Sequence, residues 1–153
     1  MNYLDIQVAT EFPGIPGEQQ FQHWVDTVLT DQSQDSEIVI RLVDDAESAE
    51  LNQTYRHKQG PTNILSFPFE APEGVDMDLL GDLVICAPLI EREAAQQNKL
   101  PEHHWAHITI HGVLHLLGYD HVEENDAEEM EALEIKLLNM LNIANPYQEE
   151  STQ

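Results

Sequence analysis

His111-Gly-Val-Leu-His115-Leu-Leu-Gly118-Tyr-Asp-His121 sets three imidazoles at a spacing that one metal ion can collect. Residues four apart lie on one face of a helix, so His111 and His115 point at the same spot. His121 cannot join them if the helix continues. Ten residues at 1.5 Å each would put it about 15 Å along the axis from His111, whereas zinc needs its ligand nitrogens at about 2.0–2.1 Å. Gly118, three residues past His115, stands where a C-terminal cap belongs, and glycine accepts the left-handed backbone that turns a chain back. The stretch therefore predicts a helix, its end, and a metal site at that C-terminal end. Three neutral nitrogen ligands leave a fourth position for water, the catalytic rather than the structural pattern of zinc coordination, and bring the pKa of that water near 7.

The same spacing occurs in the HExxHxxGxxH metalloproteases, where the Glu after the first His is the base that activates water. Here that position is Gly112. The ligand frame is kept without the base, which disfavours peptide hydrolysis unless Asp120 or another carboxylate takes its part. Spacing does not fix the metal, since nickel, cobalt, copper and zinc all accept three imidazoles.

Outward from this stretch, composition narrows the field. The 153 residues, 41% of them hydrophobic, are enough to bury a sizeable core in one domain. Cys86 is the only cysteine, so an intrachain disulfide and a CxxC metal site are excluded; in Leu83-Val-Ile-Cys86 it reads as a small buried hydrophobe. No window reaches the length of apolar sequence a membrane span requires, and Met1-Asn-Tyr-Leu-Asp5 lacks the basic start of a signal peptide, so a cytoplasmic location and no membrane partner are expected. Six Lys and Arg against 29 Asp and Glu give a formal charge of -23. Such a chain repels nucleic acid at long range and has no broad basic face from which to gain counterion-release affinity.

Hydrophobic periodicity supplies the elements. Residues 4–9 alternate as a short strand, and Phe21, Trp24, Val25, Val28 and Leu29 recur at helical spacing over 18–29, with His23 on the outer face. A second strand covers 37–43. Asp44 and Glu47 resemble a capping box opening a helix through Ala46, Ala49, Leu51 and Tyr55, which the segment 56–61 breaks. Residues 63–69 form a third strand whose Pro68 suggests an edge or a strand end. A loop at 70–78 follows, then the apolar run 80–85, the candidate central strand. Pro88 suits the first turn of a helix to 98. The histidine helix begins at Pro101 and runs to about 117, apolar around most of its circumference and so buried. Asn125 and Glu128 form a second possible capping box ahead of Met130, Leu133, Leu137 and Leu141, whose acidic first turn suits the helix dipole, and the polar tail from 145 reads as frayed. The sum is an α+β, mixed-sheet domain of about four strands and five helices, the first two strands pairing in parallel through their helical crossover. Among the other histidines, His57, His103 and His104 are assigned to solvent; His107, one turn before His111, is either a hydrogen-bonded core residue or a partner of a ligand.

His111 to His121, together with Leu51-Asn-Gln-Thr-Tyr-Arg56, Pro61-Thr-Asn-Ile-Leu-Ser-Phe-Pro68 and Gly81-Asp82, resembles the YbeY family of bacterial rRNA-maturation endoribonucleases over about residues 38–147. The resemblance implies a metal-dependent, single-strand-specific endoribonuclease acting on rRNA, notably the 3′ end of small-subunit rRNA, and in ribosome quality control. It implies one zinc ion per chain held by His111, His115 and His121, with Arg56 as the catalytic or phosphate-positioning cation. Where many members carry a glycine and an extra lysine after the arginine, this chain has His57 and Gly60, which leaves Lys58 as the cation of the loop. A planar guanidinium suits the second role, because it grips two phosphate oxygens and opposes charge developing on phosphorus.

Asp120 would orient a ligand histidine or act as base, and Lys58 would contact substrate. Water and the RNA 2′-OH compete as nucleophile. Tyr119 serves packing or substrate stacking. Because the chain is so acidic, delivery to RNA is expected through the small ribosomal subunit or a ribosomal protein. Two rivals stand beside the nuclease: a non-catalytic ribosome-assembly factor with a structural metal, and a metal-dependent peptidase or other hydrolase, which Gly112 disfavours.

Overall fold

The computed structural model describes residues 2–30, 36–69, 79–119 and 124–147. Within them the chain runs β1 Asn2–Ala9, α1 Glu18–Val28, β2 Ser36–Val43, α2 Asp45–Arg56, β3 Ile64–Pro68, β4 Leu79–Cys86, α3 Ala87–Gln96, α4 Pro101–Leu116 and α5 Glu124–Met140. The four strands form one mixed sheet in the order β1-β2-β4-β3. β1 and β2 pair in parallel, as their helical crossover allowed, and so do β2 and β4, while β3 runs antiparallel to β4. The apolar run of β4 is central, paired on both sides. β3 is one of the two edge strands, where a proline such as Pro68 is tolerated.

Alternation along the strands divides the interior in two. Ile38, Ile40, Leu42, Leu83 and Ile85 are fully buried in the main core with Phe21, Trp105, Ile110 and Leu138. Val43, Leu65, Val84 and Cys86 face a smaller core beside Leu51 and Leu89. Helix α4 contacts α1, α3, α5, β3 and β4, which explains why apolar residues surround it. Gly81 fixes how closely β3 approaches β4. Its φ is +150°, and a Cβ there would lie 2.3 Å from the Phe67 carbonyl oxygen.

Local signals failed where tertiary partners claimed the same side chains. Asp44 precedes α2, but its side chain makes no cap hydrogen bond. Its carboxylate accepts from the Thr10 hydroxyl, and Glu47 is gripped by Arg41 at 2.6 and 3.0 Å. Ala46 and Tyr55 do not face the core, and Tyr55 is 61% exposed. The deeply buried residues of α2 are polar instead. Ser48 donates to the Thr62 carbonyl at 2.8 Å, and Asn52 donates to the Gly60 carbonyl at 2.9 Å. α5 begins at Glu124, and the side chain of Asn125, the other candidate cap, lies outside what the structure describes. His104 does not face water: it is buried and donates from Nε2 to Glu93 Oε1 at 2.8 Å. Residues 145–147 are anchored by side-chain contacts of Tyr147 and by Lys99 Nζ, which donates to the Pro146 carbonyl at 3.4 Å. The predicted loop at 70–78 and the tail beyond 147 lie outside the described residues.

Candidate active site

Helix α4 stops as its glycine dictates. Gly118 has φ +101°, its N–H donates to the His115 carbonyl at 3.0 Å, and the Tyr119 N–H donates to the Leu114 carbonyl at 3.0 Å. This pair of bonds is the Schellman closure. Just before it, His111 Nε2 and His115 Nε2 stand 3.1 Å apart. Two nitrogens tetrahedrally ligating one zinc at about 2.0–2.1 Å would be about 3.3 Å apart, so the pair fits a shared ion to within a few tenths of an ångström. His121 and Asp120 lie outside the described residues, and no cluster of three or more metal-ligating side chains occurs among those described.

A carboxylate that sequence reasoning missed holds the first histidine from behind. Glu134 on α5 is fully buried, and its Oε1 accepts a hydrogen bond from His111 Nδ1. Its other oxygen accepts from the Tyr147 hydroxyl. His107 Nε2 completes the group, 3.2 Å from the Tyr147 oxygen and 3.7 Å from Glu134 Oε2. Burial pushes the Glu134 carboxyl up, but hydrogen bonds from His107, His111 and Tyr147 outweigh it and hold the group at about 2. Burial drives His107 below the ordinary histidine range, and burial with the Glu134 carboxylate drives Tyr147 upward. A carboxylate at Nδ1 fixes the tautomer whose Nε2 carries a lone pair, the form a metal ligand needs. One signal could have found it. Glu134 falls midway between Met130 and Leu138 on the buried stripe of α5, where an uncompensated charge is costly.

Both imidazoles open onto a cleft of about 800 Å³ that also receives Arg56 and Lys58. Arg56 ends α2, and His57 turns the chain with φ 58°, its N–H donating to the Gln53 carbonyl at 3.1 Å. Ser48 and Asn52 pin the loop that follows. Arg56 and Lys58 are exposed and make no ion pair with any described residue. The structure thus gathers His111, His115, Arg56 and Lys58 on one cavity. Tyr119 lines it too, partly packed against the core.

Gly112 packs directly against the sheet. A Cβ there would meet Ile64 Cδ1 at 2.4 Å and Leu83 Cδ2 at 2.9 Å, both on buried residues of the sheet. The position of the peptidase base is closed by packing: any side chain placed there would overlap Ile64 and Leu83.

Fold and site together define a mixed α+β domain whose buried helix brings a carboxylate-backed histidine pair to a cation-flanked cleft. The chain belongs to the YbeY family of endoribonucleases, whose model, described as endoribonuclease YbeY, matches residues 6–142. Among solved structures it is similar to TM1509 from Thermotoga maritima, known from a solution structure, with a TM-score of 0.58 and 23% identity over 97% of this chain and 99% of that one. At that identity the likeness speaks for the fold. No helix among the described residues is long and apolar enough to cross a membrane.

Proposed function

We propose that this protein is a metal-dependent endoribonuclease that cuts single-stranded RNA during rRNA maturation, at the 3′ end of the small-subunit rRNA, and in ribosome quality control. The observation that carries the reading is the meeting of His111, His115 and Arg56 in one cleft. His111, His115 and His121 would hold one zinc ion, which when bound supplies Lewis-acid polarisation of a phosphate oxygen. Glu134 keeps His111 in the ligating tautomer. Arg56 clamps the scissile phosphate through two parallel hydrogen bonds and opposes the charge that grows on it, and Lys58 holds a neighbouring phosphate. Asp120 orients a ligand histidine or takes the proton of the attacking group.

The nucleophile is water or the adjacent 2′-OH of the substrate. Product termini decide between them, because a 2′,3′-cyclic phosphate arises only from the 2′-OH. With a charge of -23 the protein gains little from free-solution attraction, so the small ribosomal subunit or one of its proteins delivers it in the cytoplasm. The test compares highly purified wild type, His115→Ala and Arg56→Ala on one defined single-stranded RNA. Cleavage lost in both variants supports the reading; cleavage unchanged in both traces the activity to a contaminating nuclease and overturns it.

A further inference from the structure

Phosphate chemistry leaves one feature of the cleft unused. The rings of Tyr55 and Phe67 meet nearly edge to face, their centroids 5.1 Å apart at 71°, and both line the cavity beside Arg56 and Lys58. Tyr55 occupies a position that helical periodicity assigns to the core, yet it is 61% exposed. An aromatic ring left in water forgoes the gain that burial would bring, which makes it a candidate contact surface.

A count of cations shows why the cleft needs one. The chain has six Lys and Arg. Arg41 is engaged by Glu47, Arg92 by Asp45, and Lys99 by the Pro146 carbonyl. Lys136 projects from α5, outside the cleft. Two cations remain, Arg56 and Lys58. For a single strand, log K falls with log salt by about 0.7 per phosphate neutralised, so two contacts give a slope of about -1.4. Raising salt fourfold would then cost only about sevenfold in affinity. Charge is too sparse here to hold a strand on a protein this acidic. Stacking of bases on aromatic rings is insensitive to salt and indifferent to sequence, and it supplies the missing attraction.

We infer that Tyr55, buttressed by Phe67, is a stacking platform for one unpaired nucleobase of the strand whose phosphate lies at Arg56. The inference rests on the RNA reading of the cleft. It adds that single-strandedness is selected here, because a paired base cannot present its face to Tyr55.

The test is equilibrium binding of a short 2′-O-methyl single-stranded oligonucleotide carrying 2-aminopurine, at low and fourfold higher salt. Wild type and Tyr55→Phe should quench the fluorophore and bind alike, and Tyr55→Ala should bind about tenfold more weakly without quenching. Wild-type affinity should fall less than about tenfold with the salt change. Tyr55→Ala binding and quenching like wild type overturns the platform, as does absence of wild-type binding or capture of an unstructured peptide at Tyr55 in place of the oligonucleotide. Cleavage assays on the same preparations keep the two ideas apart. An intact platform with cleavage undiminished in His115→Ala sinks the metal reading alone, whereas lost cleavage in His115→Ala with no effect of Tyr55→Ala on binding sinks the platform alone.

Discussion

Glu134 and His111 lie 23 residues apart in sequence, yet the buried carboxylate of one accepts the Nδ1 proton of the other. This contact sets which nitrogen of His111 faces His115. Substituting Glu134→Ala leaves the His111 and Tyr147 donors without their acceptor. We expect metal affinity to fall about 10- to 100-fold, read by chelator competition, and the fold to lose about 3 kcal/mol, read by urea unfolding. Glu134→Gln keeps one acceptor oxygen and should fall between. Unchanged affinity in both variants would show that the contact does not govern ligation.

His115→Ala removes one of two nitrogens that stand 3.1 Å apart. Elemental analysis should find a transition metal in wild type and its depletion in the variant, and cleavage of a defined single strand should drop by two or more orders of magnitude. His115 is only partly buried, so the circular dichroism spectrum should be preserved. Full metal occupancy in His115→Ala would contradict the site.

Arg56 is exposed at the end of α2, so its loss should spare stability. Arg56→Ala is expected to lower kcat about 100- to 1,000-fold, and Arg56→Lys to recover only part of it, because an ammonium lacks the planar two-point grip. A variant that raised KM alone would assign Arg56 to binding and remove it from the chemical step.

Gly112 lets α4 settle onto the sheet. Gly112→Ala gains about 1 kcal/mol of helix propensity but overpacks Ile64 and Leu83 at a cost of about 1–3 kcal/mol. The net expectation is a Tm lower by a few degrees, measured calorimetrically. Gly112→Glu, which restores the metalloprotease pattern, should misfold without acquiring peptidase activity.

Acid stability should report on Glu93. Desolvation raises its carboxyl, but hydrogen bonds from His104 and Asn63 outweigh that and leave it below its ordinary 4.5. A lowered folded pKa contributes stability that is fully present above the unfolded value and is lost as pH falls through the folded one. The stability advantage of wild type over Glu93→Gln should therefore be constant near neutrality and shrink below about pH 4.5 in urea titrations. An advantage that grew on acidification would reverse the assignment.

The sequence was legible where one periodicity governed an element. Ile38, Ile40 and Leu42 announced a half-buried strand, the run at 80–85 announced the centre of the sheet, and Gly118 marked the end of the histidine helix. The family resemblance singled out Arg56 and Lys58 as companions of the histidines, and all four line one cleft. Contacts between distant segments were not legible. Nothing local ties Glu134 to His111, His104 to Glu93, or Tyr147 to Glu134, because each bond depends on how α5, α3 and the final residues dock on α4. Tyr55 was misread for the opposite reason: its helical spacing fits an apolar stripe, but α2 packs through Ser48 and Asn52.

The hold on His111 is also a matter of birth order. Ribosomes release this chain from its amino end, so the imidazoles of α4 emerge before Glu134, and Tyr147 follows later still. A product truncated ahead of residue 134 carries both rings with neither clasp, so the centre waits on chain made after the rings themselves.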